Sequence, residues 1–456
     1  MKLRTWILLL VSIFVMTGLG LAESAPKPVK NVIWVIGDGM GPEVMGFFME
    51  GVRYGNLASY PDKVSHLETM MQKGTQGLYF NNTYATIVTD SAGSATQMAT
   101  GRYSLPDYIG MDYNRQPVQT ILELAQEKGK SVGVISDAYV TDATPAGFTA
   151  HVVSRKMKER IATEQIGKGI DVILGGGLKY FDERLQKQAR EKGYTLVKTS
   201  QELTKVKKGK LLGLFAEKDM PYAVEMHKHP NTPSLAQQTE KALSLLEQNS
   251  EGFFLMVEAG KIDKAAHAND PGAMLAEMKI MDAALAVILA YADKHPDTLV
   301  YLNADHDTGL GTFVYQHVNS QQAAQKTKEG EVLYNGNTVY HSMNIYSQLD
   351  KQIRPLQTLQ QELYSQPASM LTRDYWERRL GETLGTQISL EGFNNLHDIP
   401  GVFKQLNEKR GFAWATGNHS AAPLIGVAYG PQADLFSGVY HNTDISPRLK
   451  KAFGWE

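Results

Sequence analysis

The stretch Asn31-Val32-Ile33-Trp34-Val35-Ile36-Gly37-Asp38-Gly39-Met40-Gly41 decides the fold. After Asn31 the run has no polar alternation, so both faces of an extended chain must be buried there. Such a strand belongs to a parallel sheet covered by helices, and Gly37-Asp38 ends it abruptly. The pattern recurs. Tyr84–Val88, Ser131–Ile135, Asp171–Leu174, Phe253–Val257, Thr298–Leu302 and Pro423–Ala428 are short apolar runs broken by polar or glycine residues. Amphipathic helical patterns lie between them at Gln116–Lys128 and Ser234–Gln248. The longest runs from Asp270-Pro271 to Asp293, with Asp270 as N-cap and Pro271 at the first helical position. Strands alternating with helices predict an α/β fold: a doubly wound, mostly parallel central sheet with helices on both faces.

Outward from that core, the ends and insertions read differently. Lys2 and Arg4 precede the apolar run Trp6–Leu21, and Gly20-Leu21-Ala22 supplies small residues for cleavage, so residues 1–22 read as a signal peptide. No Cys follows for lipid attachment, and no later stretch is apolar for long enough to cross a bilayer. The expectation is an exported protein, periplasmic or secreted, free of the membrane after cleavage. Of its 456 residues 43% are hydrophobic, 21% are charged and none is Cys. That composition excludes a disulfide scaffold, thiolate chemistry and a Cys-based zinc site. With 46 Lys+Arg against 48 Asp+Glu, no basic field marks a nucleic-acid partner. From Thr312 to Arg410 the chain is rich in Gln, Asn, Ser and Tyr without strong apolar runs. Residues 312–410 therefore read as an inserted lid subdomain between two parts of one α/β unit, 29–311 and 411–456. Gln186–Asn231, with its lysine clusters, reads as solvated surface.

The polar residues that matter stand just beyond the apolar runs. Asp38 follows the first, Asp90 and Ser91 the second, Glu258 the run Phe253–Val257, and Asp305-His306 the run Thr298–Leu302. Ligands of doubly wound sheets bind beyond the carboxyl ends of the strands, so residues far apart in sequence can share one site there. In Thr89-Asp90-Ser91-Ala92-Gly93-Ser94-Ala95-Thr96, Ser91 opens a helix of small residues, where amides and the helix dipole favour an anion. Alone, Ser91 or Asp90 reads as an N-cap. As a nucleophile Ser91 needs a base or a metal, and no G-x-S-x-G elbow surrounds it. Asp263 and His267, at i and i+4, share one helix face and can bind one ion. Carboxylate with imidazole suits zinc, and an all-oxygen site around Glu258 suits magnesium. Asp305-His306-Asp307-Thr308-Gly309 and Gly417-Asn418-His419-Ser420 offer further ligands.

Gly37-Asp38-Gly39-Met40-Gly41, Thr89 to Ala95, Asp142-Ala143-Thr144-Pro145-Ala146, Glu258 through Asp263 to His267, and Asp305 to Gly309 together resemble the alkaline phosphatase family. The match runs in order from about residue 29 to 311 and resumes near His419, and 312–410 falls where the family carries its variable crown. The resemblance implies hydrolysis of small phosphate monoesters through a phosphorylated Ser91, with two Zn2+ and one Mg2+ per subunit, in a homodimer. It implies Asp263, His267 and His419 on one zinc and Asp38, Asp305 and His306 on the second. Asp38 then bridges to magnesium, completed by Asp142, Thr144 and Glu258. Arg155, in His151-Val152-Val153-Ser154-Arg155, matches the family's phosphate-gripping arginine, whose planar fork suits two phosphate oxygens. The pairing of Asp142 with Lys264 implies magnesium at the third site and a water-bridged contact from Lys264 to phosphate.

Two other readings stay open on the residues alone. A phosphodiesterase or sulfatase of the same superfamily keeps the fold, but Ser91-Ala92-Gly93 lacks the Pro and Arg of a sulfatase setting. A non-catalytic metal- or phosphate-binding protein would have no need of the full set of ligands with Ser91 and Arg155. The remaining histidines receive no role: His227 and His229 are expected in solvent, and nothing requires His317 or His341 at the site.

Overall fold

The computed structural model describes residues 28–328, 332–334, 336–393 and 395–455. The expected signal peptide lies outside them. Ten strands form one sheet: β1 (Asn31–Gly37), β2 (Thr75–Phe80), β3 (Ser131–Tyr139), β4 (Val172–Gly176), β5 (Tyr194–Val197), β6 (Lys210–Leu214), β7 (Phe253–Ala259), β8 (Thr298–Ala304), β9 (Leu424–Tyr429) and β10 (Gly438–His441). Their order across the sheet is β10-β2-β9-β8-β1-β7-β3-β4-β6-β5. β9 runs antiparallel to both β2 and β8, and every other pairing is parallel. The central strands β1, β7 and β8 are buried along their whole length, as their uninterrupted apolar sequences require. Trp34 fills the middle of β1, with Nε1 donating to Asn303 Oδ1 at 2.7 Å so that burial leaves no orphan donor.

Three sequence expectations need correction. Tyr84–Val88 is an exposed loop, not a strand; Tyr84, Ile87 and Val88 point outward, and Tyr84 stacks on Tyr113. The strand near this position is β2, whose alternating burial left no continuous apolar run to read. The expected strand at Pro423–Ala428 exists as β9 but reversed, because strand direction is set by the pairing partner and not by composition. Gln186–Asn231 is also more than solvated surface: it contains β5 and β6, the far edge of the sheet.

The helices that position the site are α1 (Pro42–Tyr54), α2 (Ser91–Thr100), α3 (Ala143–Thr149), α4 (Lys261–His267) and α5 (Pro271–Lys294). Asp270 caps α5 as expected, accepting from Ala273 N at 3.0 Å. Among its described residues, the segment between Thr312 and Arg410 adds no strand to the ten-stranded sheet. Its two ends meet where Thr312 and Phe313 pair with Ala413 and Phe412. It carries its own apolar cluster, in which Leu359 and Leu363 of α6 (Leu356–Tyr364) pack with Trp376 and with Val402 and Leu406 of α7 (Ile399–Lys409). Among the described residues no helix is long and apolar enough to cross a membrane.

Candidate metal and phosphate site

Strand register assembles the site. Gly37 aligns with Ala259 on β7 and with Ala304 on β8, so Asp38, Gly260 and Asp305 leave the sheet at one level. Gly39 then turns with φ +69°, donating from its N–H to Asp305 Oδ1 at 3.1 Å; a Cβ here would lie 2.9 Å from Asp263 Cα. Glycine is what lets the β1 loop press against α4. His419 arrives from the other end of the chain through a two-residue ladder in which it pairs with Thr308.

Three imidazoles meet there with their Nε2 atoms converging. His267 Nδ1 donates to Gly417 O at 2.7 Å and His419 Nδ1 to Thr89 O at 2.9 Å. A carbonyl only accepts, so each Nδ1 carries a proton, and Nε2 is the atom each ring has left to offer a ligand. Those two Nε2 atoms face each other at 3.1 Å, and Asp263 Oδ2 stands 3.3 Å from His267 Nε2. Around His306 Nε2 lie Ser91 Oγ at 3.1 Å, Asp305 Oδ2 at 3.2 Å and Asp38 Oδ1 at 3.5 Å. Two triplets, Asp263/His267/His419 and Asp38/Asp263/His306, bring their ligand atoms within 4.8 Å of one another. Asp38 Oδ1 and Asp305 Oδ2 are buried with no hydrogen-bond donor. Lone pairs and carboxylates facing one another repel unless a cation sits among them, most strongly in the fully buried Asp38/Asp263/His306 triplet, so these residues fit divalent metal.

The electrostatics agree. Burial, reinforced by the charges of Asp305 and Asp263, pushes the Asp38 carboxyl well up, and burial with Asp263 lifts Asp305 to about 6. Burial lowers His306 to about 4 and, together with the His306 imidazole, lowers His419, which keeps both neutral and able to ligate. Burial also acts to raise Asp263, but the three imidazoles outweigh it and hold that carboxyl below its ordinary range.

Ser91 is the first residue of α2, capped by Asp90, whose Oδ1 accepts from Gly93 N at 2.9 Å. Asp90 Oδ2 also meets Arg155 Nη1 at 3.2 Å. That second contact went unread in the sequence, because an N-cap Asp looks complete without it. On the far side of Arg155, Asp142 caps α3 and Thr144 lies buried at the second position of that helix. Asp142 Oδ1 accepts from Lys158 Nζ at 2.7 Å and stands 3.4 Å from Arg155 Nη2, while its Oδ2 is 3.8 Å from Lys264 Nζ. Burial would raise Asp142, yet these three cations keep it well below the usual carboxylate range. Glu258, buried and near Asp142, is lifted to about 8, with its Oε2 accepting from Ser136 Oγ. Lys264 is paired with Asp219, from the loop after β6. Lys158, Asp219 and Ser136 carried no motif; only their place beside the site identifies them.

Every residue singled out from the sequence therefore reaches this one region. His227 and His229 are exposed and lie in neither triplet. The family model for alkaline phosphatase matches residues 29–455. The chain belongs to the alkaline phosphatase family. Alkaline phosphatase 4 of Bacillus subtilis is 32% identical over 438 residues, spanning 91% of this chain and 87% of the relative. The alkaline phosphatase of Escherichia coli is 34% identical over 343 residues, 61% of this chain and 70% of the relative. The crystal structure of a cold-active alkaline phosphatase from a psychrophilic Shewanella species superposes with TM-score 0.75 at 29% identity, over 93% of this chain and 99% of that one. The Thermus thermophilus alkaline phosphatase, at 24% identity and TM-score 0.78, covers 96% of this chain and 95% of its own, and shares the fold. The protein is a phosphatase acting on phosphate monoesters, with metal cofactors implied by its family.

Proposed function

We propose that this alkaline phosphatase works through a phosphoserine at Ser91, with two Zn2+ and one Mg2+ per subunit. The observation that carries this reading is the 3.1 Å approach of Ser91 Oγ to His306 Nε2, inside the second acidic and imidazole cluster. Asp263, His267 and His419 would hold one zinc, and Asp38, Asp305 and His306 the other. Asp142, Thr144 and Glu258, with Asp38, would hold the magnesium. When bound, these cations supply Lewis-acid stabilisation of the attacking and departing oxygens.

The chain's own residues do the rest. The first-turn amides of α2 and the Arg155 fork bind the phosphoryl oxygens, with Asp90 fixing the angle of the guanidinium. Ser91 Oγ attacks phosphorus, the bond to the substrate alcohol breaks, and the serine proton passes overall to the departing alcohol. Water then displaces Ser91, releasing inorganic phosphate, and two in-line displacements retain configuration at phosphorus. Lys264, steadied by Asp219, stands over the phosphate through water.

Residues 1–22 direct export to the periplasm or medium, and 312–410 forms an inserted crown on the catalytic unit 29–311 and 411–456. Homodimerisation uses the outer face of β2 and β10, where Leu78, Phe80 and Val439 lie exposed beside Ile87. The deciding experiment compares an aryl phosphate monoester, its diester and its sulfate on the purified protein at mildly alkaline pH, with and without chelator. A dominant, chelator-sensitive monoesterase is expected. Faster diester or sulfate turnover would reassign the phosphate-gripping residues.

A further inference from the structure

We infer that α6 and α7 build a binding cleft for a flat, uncharged aromatic leaving group, on the side of the metal cluster opposite Ser91. The inference names the substrate class of the site above and rests on that reading. Ser91 Oγ meets His306, the His306 ring stacks on His419 with centroids 3.5 Å apart, and His419 Nε2 faces His267 Nε2 at 3.1 Å. An in-line displacement expels the leaving group on the side away from the nucleophile, and in this series of contacts that side is the His267 end. There His267 forms part of the wall of a cleft of about 390 Å³, a volume that suits a small ring system.

One face of α7 forms the opposite wall: Pro400, Phe403, Lys404, Asn407 and Glu408 fall at i, i+3, i+4, i+7 and i+8. Leu356 and Gln360 of α6 close one side, and Trp414 to Gly417 form the floor. That floor leads directly to His419, and its Gly417 carbonyl anchors His267, so an occupant is held in register with the ligand cluster. The aromatic lining is Phe403, Phe412 and Trp414. The two charged residues, Lys404 and Glu408, stand 4.0 Å apart and neutralise each other, leaving no net field to draw a charged occupant.

The test compares 2-naphthyl phosphate with glycerol 2-phosphate on the metal-loaded enzyme and on Phe403→Ala and Gln360→Trp. The first variant removes a wall; the second fills the cleft from a half-exposed position and spares the core. In both, kcat/KM for the naphthyl ester relative to the glycerol ester should fall about tenfold, mainly through KM. Calorimetric binding of naphthylphosphonate should weaken by a similar factor while methylphosphonate binding holds. An unchanged ratio, or equal losses on both esters, overturns the inference. If the wild type turned over neither ester, the hydrolase reading would fail instead. The phosphonate titrations would still decide the cleft.

Discussion

At the scale of single residues, the site works by denying its polar groups their ordinary partners. His267 and His419 spend Nδ1 on carbonyls, and Asp38 and Asp305 each keep one buried oxygen free. Ser91, the proposed nucleophile, is the exception: its Oγ approaches His306 Nε2 at 3.1 Å. Ser91→Ala should abolish the acid-stable phosphoenzyme, read with labelled substrate, while zinc content by atomic absorption stays near wild type; loss of zinc too would mean Ser91 was misread. Lys158 is the opposite case, a cation pressed onto a proposed magnesium ligand. Burial lowers its ammonium, and Asp142 holds it charged. Lys158→Ala should free Asp142 and tighten Mg2+ binding by about tenfold, since losing one close cation is worth about 1 to 2 kcal/mol at a partly buried site. Magnesium titration calorimetry checks this, and weaker binding would show that Lys158 supports the site.

At the scale of elements, helix ends carry the junctions between parts. Asp270 caps α5 and also accepts from Leu356 N at 2.6 Å and Gln352 Nε2 at 2.8 Å, tying the 312–410 segment to the sheet unit through one fully buried carboxylate. Asp270→Ala strands these donors and should cost about 2 to 4 kcal/mol, seen as a drop in melting temperature; a change under about 0.5 kcal/mol would show that water replaces the carboxylate. The helix Ile121–Glu127 has a capping box between Thr120 and Glu123, and Glu123 also accepts from His151 Nε2 at 2.8 Å and pairs with Lys168. Burial acts to raise Glu123, but His151 and Lys168 prevail and hold it at about 2, against 4.5 when free. A carboxyl lowered on folding stabilises above its unfolded value and loses that contribution as pH falls from 4.5 toward about 2. Glu123→Gln keeps the cap and removes the charge. Its deficit in urea unfolding should therefore be largest at neutral pH and shrink below pH 4.5; a deficit independent of pH would place the effect in packing.

At the scale of the whole molecule, one face remains to be covered. Ile87 is 78% exposed and Val439 68%, beside Leu78 and Phe80 on the outer strands. Ile87→Asp with Val439→Asp should convert a dimer to a monomer in light scattering, at little cost to monomer folding, and a persistent dimer would move the interface elsewhere. The sequence by itself determined that the fold is α/β, which follows locally from uninterrupted apolar runs that must be buried on two faces. Asp38, Glu258 and Asp305-His306 stand out as candidates because they lie just past the ends of such runs, whereas Asp142, Thr144, Arg155 and Lys264 come only with the family resemblance. The sequence also marked Asp270 as a cap, and it left Ser91 and Asp90 as alternatives where the structure puts the cap at Asp90. Only the tertiary structure decided that β9 is reversed, that β2 and not Tyr84–Val88 joins the sheet, and that Asp219 and Lys158 stand against Lys264 and Asp142. Strand direction, register and ion pairs between distant segments depend on which surfaces meet once the chain has collapsed. That energy is shared between partners dozens to hundreds of residues apart, and no single stretch of sequence contains it.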